Sequence, residues 1–201
     1  MCQILETIRI SNFIPENIDL HQIRMDNAYK TVFKKQNPIS LENIFQSEKI
    51  TDNLVYKWRI IFSENNYSTS IEIYNIKPVK SLKLIDIPYN FDYSIKLADR
   101  SKINSFYSLK GNCDDVILVK NGLLTDSSYA NLVFKFKNQL FTPKIPLLNG
   151  IRRTLLINVK KVEIINISVE DIDKYEGVYL VNSMMDIEVA PFIEINNIEI
   201  F

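Results

Sequence analysis

The chain has 201 residues, 46% hydrophobic and 24% charged, which suits one large domain or two small ones with a buried core. Its 24 basic residues balance its 24 acidic ones, so no overall charge draws it toward nucleic acid or an anionic membrane. Two cysteines and one histidine cannot supply a four-ligand zinc site or a disulfide framework. The sequence shows neither a signal peptide nor an apolar run of about 18 residues, so a cytoplasmic location is expected.

The first half of the chain alternates strand and helix patterns. Apolar residues at near-helical spacing across residues 18–33 predict a helix. Ser40 is an N-cap residue type and predicts a short second helix within residues 38–45. Strands are predicted at residues 4–10, 54–63 and 68–76. This half is therefore predicted to be α+β.

The second half is predicted to be richer in strands. Residues 78–93 contain Pro78 and Pro88 with apolar pieces between them, and they are predicted to be a connector or an edge strand between two lobes. A helix is predicted over residues 96–109, and the Asn121-Gly122 pair is typical of a hairpin turn. Another helix is predicted after Asn149, its expected N-cap. Strands are predicted at residues 115–119, 129–136, 139–142, 162–167, 177–182 and 187–192.

Three features point to a planar ligand with a phosphate tail. Asp126 lies between two apolar runs in the segment NGLLTDSSYANLVF, which is otherwise built to be buried, so its polar group must find a partner or bind a ligand. The predicted helix start at 150–152 presents backbone N–H groups and a positive dipole end, which suit a phosphate. Arg24 could add a bidentate guanidinium. Each feature alone has a structural alternative: a hairpin turn, a helix boundary or a surface ion pair.

Six motifs occur in an order that resembles a known family. They are LETIRI at Leu5, LHQIRM at Leu20, YSIKLADR at Tyr93, LLTDSSYANLVF at Leu123, FTPKIPLLNGIRR at Phe141 and LVNSMM at Leu180. Together they resemble the fold-type IV pyridoxal phosphate enzymes, or class IV aminotransferases. That family includes branched-chain aminotransferases, D-amino acid aminotransferases and aminodeoxychorismate lyases.

The resemblance implies a fold and a domain division. The fold is α+β, similar to D-amino acid aminotransferase, with two α/β lobes and the cofactor cleft between them. Residues 1–85 are expected to form a small N-terminal α/β lobe. Residues 86–201 are expected to form a larger C-terminal lobe that carries most of the cofactor contacts. The implied cofactor is pyridoxal 5'-phosphate.

The resemblance also assigns the catalytic lysine and the ring-nitrogen partner. Lys96 opens a K-x-x-D-R stretch that is similar to the cofactor lysine of the lyase members, while the nearest rival, Lys102, is expected to be a solvated helix residue. Asp126 matches the carboxylate that accepts a hydrogen bond from the pyridinium N–H. The usual family residue there is glutamate, and aspartate is one methylene shorter. Asn131 matches a structural asparagine near that carboxylate.

The remaining assignments concern the phosphate and one ring face. Arg24 matches the arginine of the family's H-x-x-R element, which contacts the phosphate. Leu148 matches an apolar residue on one face of the ring. The other implied cofactor-binding residues are Ile151 and Arg152, through their main-chain N–H groups, and Asn182 with Ser183, through polar side chains. No metal site is expected.

The implied reaction is that of aminodeoxychorismate lyase: deprotonation at Cα and elimination of pyruvate, which leaves 4-aminobenzoate for folate biosynthesis. Ser101 stands where a tyrosine often follows the lysine in the family, and this favours the lyase-like members. The alternatives are an aminotransferase acting on D-amino or branched-chain amino acids, and a catalytically silent cofactor-binding relative. The implied partners are a small amino substrate and a second copy of the chain, forming a homodimer.

Overall fold

The computed structural model describes residues 2–200, which divide into two compact units. The N-terminal unit consists of Met1–Ile76 and Ile95–Asp99, and the C-terminal unit of Lys77–Ser94 and Arg100–Phe201. Each unit combines β-sheet with a few helices, so the predicted mixed fold class is confirmed. No helix within residues 2–200 is both long and apolar enough to cross a membrane.

The N-terminal unit is an antiparallel sheet packed against two helices. Its elements are β1 (Ile4–Ser11), β2 (Ile14–Pro15), α1 (Ile18–Phe33), α2 (Leu41–Gln46), β3 (Tyr56–Phe62) and β4 (Tyr67–Ile73). The strand order is β2-β1-β3-β4. Alternate β1 residues, Ile4, Ile8 and Ile10, pack in one core with Met25 of α1. Because side chains alternate along a strand, Glu6 lies on the same face of β1 as these isoleucines.

The C-terminal unit is built on a larger mixed sheet. Its elements are β5 (Leu82–Asp86), α3 (Ser101–Tyr107), β6 (Asp115–Lys120), β7 (Leu123–Ser127), β8 (Asn131–Phe136), β9 (Gln139–Pro143), α4 (Ile151–Asn158), β10 (Glu163–Ile165), β11 (Gly177–Val181), β12 (Phe192–Glu194) and β13 (Ile198–Glu199). The main strand order is β10-β9-β8-β7-β6-β5-β13, and β11 pairs with both β8 and β12. In the β7–β8 hairpin, Asp126 is directly opposite Asn131.

The observed division differs from the expected boundary after residue 85. Residues 77–85 lie in the C-terminal unit because β5 pairs with β6 and β13 there. Residues 95–99 belong to the N-terminal unit, since Leu97 forms an antiparallel bridge with Ile4 of β1. The expectation that residues 78–93 form a connector or edge strand is also wrong, because β5 is flanked by strands on both sides.

The predicted helix over residues 96–109 is shorter in the structure. Helix α3 begins only at Ser101, and the preceding residues run beside β1. The Leu5 N–H donates to Lys96 O at 2.8 Å, and the Ala98 N–H donates to Gln3 O at 2.9 Å. The backbone groups around Lys96 are therefore bonded to a strand rather than within a helix.

Most other predicted elements are present, with local corrections. Ser40 caps α2 by accepting a hydrogen bond from the Asn43 N–H at 3.3 Å. Asn121 and Gly122 have positive φ values of 53° and 72°, as a hairpin turn between β6 and β7 requires. Strand β7 itself was not predicted, and the strand predicted at 187–192 begins only at Phe192.

Candidate active site

A buried carboxylate binds two basic side chains in the N-terminal unit. Glu6 Oε1 accepts a hydrogen bond from Arg24 Nε at 2.9 Å, and Glu6 Oε2 accepts one from Arg24 Nη2 at 2.6 Å. His21 Nδ1 lies 2.7 Å from the same Oε2. The Glu6 and His21 side chains are each 1% exposed. Arg24 is thus oriented by a bidentate ion pair, and its guanidinium has five N–H groups, more than this pair uses.

The protonation states in this cluster follow from burial and charge. Burial raises the pKa of Glu6, but the charge of Arg24 and the hydrogen bonds from His21 and Arg24 outweigh burial and hold that pKa well below its ordinary range. Burial lowers the pKa of His21, and, with the charges of Arg24 and Lys96, it outweighs the contacts with Glu6 that raise this pKa. Glu6 is therefore ionised and His21 neutral near pH 7, so the His21 Nδ1–H donates to Glu6.

Lys96 lies close to this cluster. Its backbone is fixed beside β1 through the Leu5 N–H, and the residue is half-buried. The charges of Arg24 and Lys96 both act on His21 and lower its pKa. The structure therefore brings two of the predicted site residues, Lys96 and Arg24, around His21.

A second buried carboxylate, Asp126, lies in the C-terminal unit. Its Oδ1 accepts a hydrogen bond from Asn131 Nδ2 at 2.6 Å, which confirms that Asn131 lies beside it. Its Oδ2 accepts hydrogen bonds from the Leu147 N–H at 2.6 Å and the Leu148 N–H at 3.0 Å. Burial raises the pKa of Asp126 to about 6, although these donors and the charge of Arg153 act in the opposite direction. A carboxylate has about four acceptor positions, so Asp126 has capacity for one more donor.

Asn131 connects Asp126 to the start of α4. Asn131 Nδ2 also donates to Leu148 O at 2.8 Å. A Cβ on Gly150 would lie only 2.0 Å from Asn131 Oδ1, so this position requires glycine. Gly150 rather than Asn149 is the N-cap of α4, and it has no side chain to cap the first turn. Helix geometry directs the N–H groups of that turn outward, toward any anion placed there.

The other predicted phosphate residues are Arg152, in the first turn of α4, and Asn182 with Ser183, after β11. Arg152 Nη1 donates to Asp186 Oδ2 at 2.7 Å, which connects the first turn of α4 to the chain that follows β11. Asn182 and Ser183 occupy the tight turn after β11, where Asn182 Oδ1 accepts from the Met184 N–H at 2.8 Å. Hydrogen bonds therefore connect Asp126 with Leu148 beside the start of α4, and Arg152 of α4 with Asp186, which follows the turn of Asn182 and Ser183.

Comparison with known proteins identifies the family. Residues 59–191 match the family model described as amino-transferase class IV. The chain belongs to the class IV aminotransferase family. A curated relative from Haemophilus influenzae, named "Uncharacterized protein", is 29% identical over 187 residues, which cover 92% of this chain and 98% of the relative.

Solved structures agree with this family and with the predicted fold-type IV architecture. A "putative 4-amino-4-deoxychorismate lyase" from Haemophilus somnus has a TM-score of 0.84 and 29% identity, covering 92% of this chain and 98% of its own. A "putative amino-acid aminotransferase" from Mesorhizobium loti has a TM-score of 0.78 and 18% identity, covering 96% and 99%. A "hypothetical aminotransferase" from Mycobacterium tuberculosis, in a pyridoxal phosphate-bound form, has a TM-score of 0.78 and 16% identity, covering 96% and 80%.

The donor and acceptor groups in each unit fit the family cofactor. Asp126 offers a buried acceptor for a pyridinium N–H, and the first turn of α4 offers N–H groups for a phosphate. Arg24 offers charged donors and Lys96 a primary amine. Within residues 2–200, no group of three or more His, Cys, Asp and Glu side chains is placed to hold a metal ion.

Sequence reasoning missed two charged residues next to the predicted ones. Glu6 orients Arg24, and the alternation of ILETIRI was a signal for it, because Glu6 falls on the apolar face of β1. Arg153 is 5% exposed and lies in the first turn of α4. No sequence signal distinguished Arg153 from its neighbour Arg152.

Replacing Glu6 with glutamine should destabilise the protein in a pH-dependent way. The change leaves the charge of Arg24 without its buried partner, which should cost about 3 to 5 kcal/mol of unfolding free energy at pH 7. Because the folded-state pKa of Glu6 lies below its ordinary 4.5, its stabilising effect is present above that pH and is lost as the pH falls. Urea unfolding of both proteins at pH 7 and between pH 5 and 3 measures this difference.

The control is Glu72→Gln, because Glu72 pairs with Lys57 on the surface and its replacement should change the unfolding free energy by less than about 1 kcal/mol. A loss for Glu6→Gln that stays constant between pH 7 and 3 would show that Glu6 acts through packing rather than charge.

Proposed function

We propose that the protein is a pyridoxal 5'-phosphate-dependent enzyme of the aminodeoxychorismate lyase type. It would convert aminodeoxychorismate to 4-aminobenzoate and pyruvate. The observation that carries the cofactor assignment is the buried Asp126 carboxylate, which has three neutral donors and a remaining acceptor position. The lyase assignment is supported by the 29% identity to the Haemophilus somnus protein of that name and by Ser101 at the position where the family often has tyrosine.

The cofactor, when bound, supplies an electron-withdrawing ring that stabilises negative charge at the Cα of an amino substrate. Asp126 would accept the N–H of the ring and so keep that nitrogen protonated. Leu148, whose backbone is fixed by Asp126 and Asn131, would pack on one ring face. The α4 first turn at Ile151 and Arg152 would bind the phosphate, together with Asn182 and Ser183.

Lys96 and Arg24 would complete the site from the N-terminal unit. Arg24, oriented by Glu6, would donate charge-assisted hydrogen bonds to the phosphate. Lys96 Nζ would hold the cofactor covalently and then, as a free amine, would take the proton from Cα of the substrate. The neutral state of His21 leaves the net charge of Glu6, Arg24 and His21 at zero.

The second candidate function is an aminotransferase acting on D-amino or branched-chain amino acids. It uses the same residues for cofactor binding and for proton removal, and differs in where the proton is returned and in the keto acid that accepts the amine. This second function is supported by the similar folds of the aminotransferases from Mesorhizobium loti and Mycobacterium tuberculosis. A homodimer and a cytoplasmic location stay predictions from the family resemblance and the sequence.

Product analysis should separate the two reactions. We expect purified protein supplied with pyridoxal 5'-phosphate to release equal amounts of pyruvate and 4-aminobenzoate from aminodeoxychorismate. The measurement is chromatography of 4-aminobenzoate with an enzymatic pyruvate assay. Amine transfer from a D-amino or branched-chain amino acid to 2-oxoglutarate, with no 4-aminobenzoate formed, would support the aminotransferase instead.

Replacing Lys96 with alanine should abolish covalent cofactor attachment and turnover while the protein stays folded. We expect borohydride reduction of the wild type to add the mass of the reduced cofactor to the peptide that contains Lys96. The variant should show no added mass on that peptide. Lys102→Ala is the matched control, because Lys102 is an exposed residue of α3, and it should retain both attachment and activity. Attachment that persists in Lys96→Ala would assign the cofactor to another lysine.

Replacing Asp126 with asparagine should slow the reaction without preventing cofactor attachment. Asparagine keeps the shape of the side chain but cannot stabilise a protonated ring nitrogen. Loss of a buried charged pair is worth about 3 to 5 kcal/mol, so turnover should fall by roughly 100-fold or more. Steady-state kinetics and the visible absorbance spectrum of the reconstituted protein measure this effect. Wild-type turnover with an unchanged spectrum would show that Asp126 serves only the β7–β8 turn.

A further inference from the structure

Arg153 is a buried cation whose hydrogen-bond partners are all uncharged. It is 5% exposed. Its Nε donates to Thr142 Oγ1 at 3.1 Å, its Nη1 to Asn149 Oδ1 at 3.4 Å and its Nη2 to Pro143 O at 2.8 Å. A buried guanidinium is costly unless an anion balances its charge. None of these three acceptors supplies that negative charge.

The negative charge that can offset the charge of Arg153 is that of Asp126. Both residues form hydrogen bonds with the segment of residues 142–149. Arg153 holds both ends of residues 142–149 through its three hydrogen bonds. Asp126 accepts the backbone N–H groups of Leu147 and Leu148 from the middle of the same segment. Burial raises the pKa of Asp126 and lowers the pKa of Arg153, and the opposite charge of each residue acts against the shift of the other. The anion and the cation are thus coupled through space and through one short loop.

We propose that Arg153 is a positioning residue of the cofactor site, which holds the segment of residues 142–149 that Asp126 binds, and whose buried positive charge favours the ionised form of Asp126 before the cofactor binds. This inference rests on the proposed function for its relevance to catalysis. An ionised Asp126 can accept the ring N–H as soon as the cofactor enters. A protonated Asp126 would first have to lose its own proton.

The other groups around Asp126 do not take this role. Asn131 and the two loop amides are neutral donors. The guanidinium of Arg152, the adjacent residue of α4, binds Asp186. At the turn after β7, Arg100 donates to the backbone Ser128 O, and buried Asp115 interacts with Ser127 and Ser128, its own pKa raised by burial.

Carbon-13 NMR of the cofactor-free protein can test the charge of Arg153 directly. The carboxyl carbon of Asp126, assigned by its absence in Asp126→Asn, is titrated in the wild type and in variants. Arg153→Met should raise the midpoint of this titration by roughly one pH unit, since an opposite charge has been removed from a poorly solvated site. Arg153→Lys keeps the charge but loses the planar fork, and its midpoint should stay within a few tenths of a unit of the wild type.

Arg152→Met is the matched control, because Arg152 is a neighbouring buried arginine, 9% exposed, whose guanidinium binds a different carboxylate. It should leave the Asp126 midpoint unchanged. An unchanged midpoint in Arg153→Met would overturn the proposal. Equal shifts in Arg153→Met and Arg153→Lys would overturn it as well, because the hydrogen bonds rather than the charge would then be responsible.

If Arg153→Met does not fold, the double variant Arg153→Met with Asp126→Asn decides the question. Removing both buried charges should restore a folded protein if the two charges balance each other, and a double variant that also stays unfolded would contradict the coupling. These measurements use protein without cofactor, so their failure is distinct from failure of the product and attachment experiments that test the proposed function.

Discussion

The candidate site residues of both units depend on how a buried carboxylate is stabilised without water. Glu6 and Asp126 are both buried, yet their pKa values move in opposite directions. Glu6 is bonded directly to the guanidinium of Arg24, and a cation at hydrogen-bond distance outweighs the cost of burial. Asp126 has only neutral donors in contact and a cation acting from beyond them, so burial prevails. Glu6 is therefore a charge already balanced, while Asp126 is a charge that still gains from a cationic partner.

This difference gives the two carboxylates different roles. A protonated ring nitrogen is a cation with one N–H, and it matches both the remaining acceptor position and the raised pKa of Asp126. Glu6 already has a cation at hydrogen-bond distance, and it orients the guanidinium of Arg24. The same physical rule thus separates a carboxylate suited to a cationic ligand from one that positions a side chain.

The sequence predicted the parts of the fold that depend on local pattern. The amphipathic α1, the Ser40 cap and the Asn121-Gly122 turn are all encoded within a few residues. The segment around Lys96 was predicted to be part of a helix over residues 96–109. Its backbone partner is β1, more than 90 residues earlier in the chain, and a pairing at that distance leaves no local pattern.

The same limit applies to the site. The resemblance to the family assigned roles to Lys96, Arg24 and Asp126, because each lies in a short motif. It did not locate Arg153, because the Arg152-Arg153 pair looks like two solvated residues. The two side chains in fact have separate buried environments, one at Asp186 and one under the loop of residues 142–149. The packing of α4, and not the Arg-Arg sequence, decides which of the two arginines lies near which carboxylate.

The short side chain at position 126 follows from that same loop. Asp126 replaces the glutamate usual in the family, and its Oδ2 is reached by two backbone N–H groups at 2.6 and 3.0 Å. Asn131, directly opposite on β8, fixes the other oxygen at 2.6 Å. Because Asn131 Oδ1 also occupies the space where residue 150 would place a Cβ, the asparagine has little room to shift.

A longer carboxylate would have to displace either the loop amides or Asn131, so the shorter residue is matched to a closer approach of residues 142–149. Arg153 holds that segment at its two ends. The aspartate, the glycine and the buried arginine are therefore parts of one arrangement, in which a change at any of them alters the acceptor that Asp126 presents.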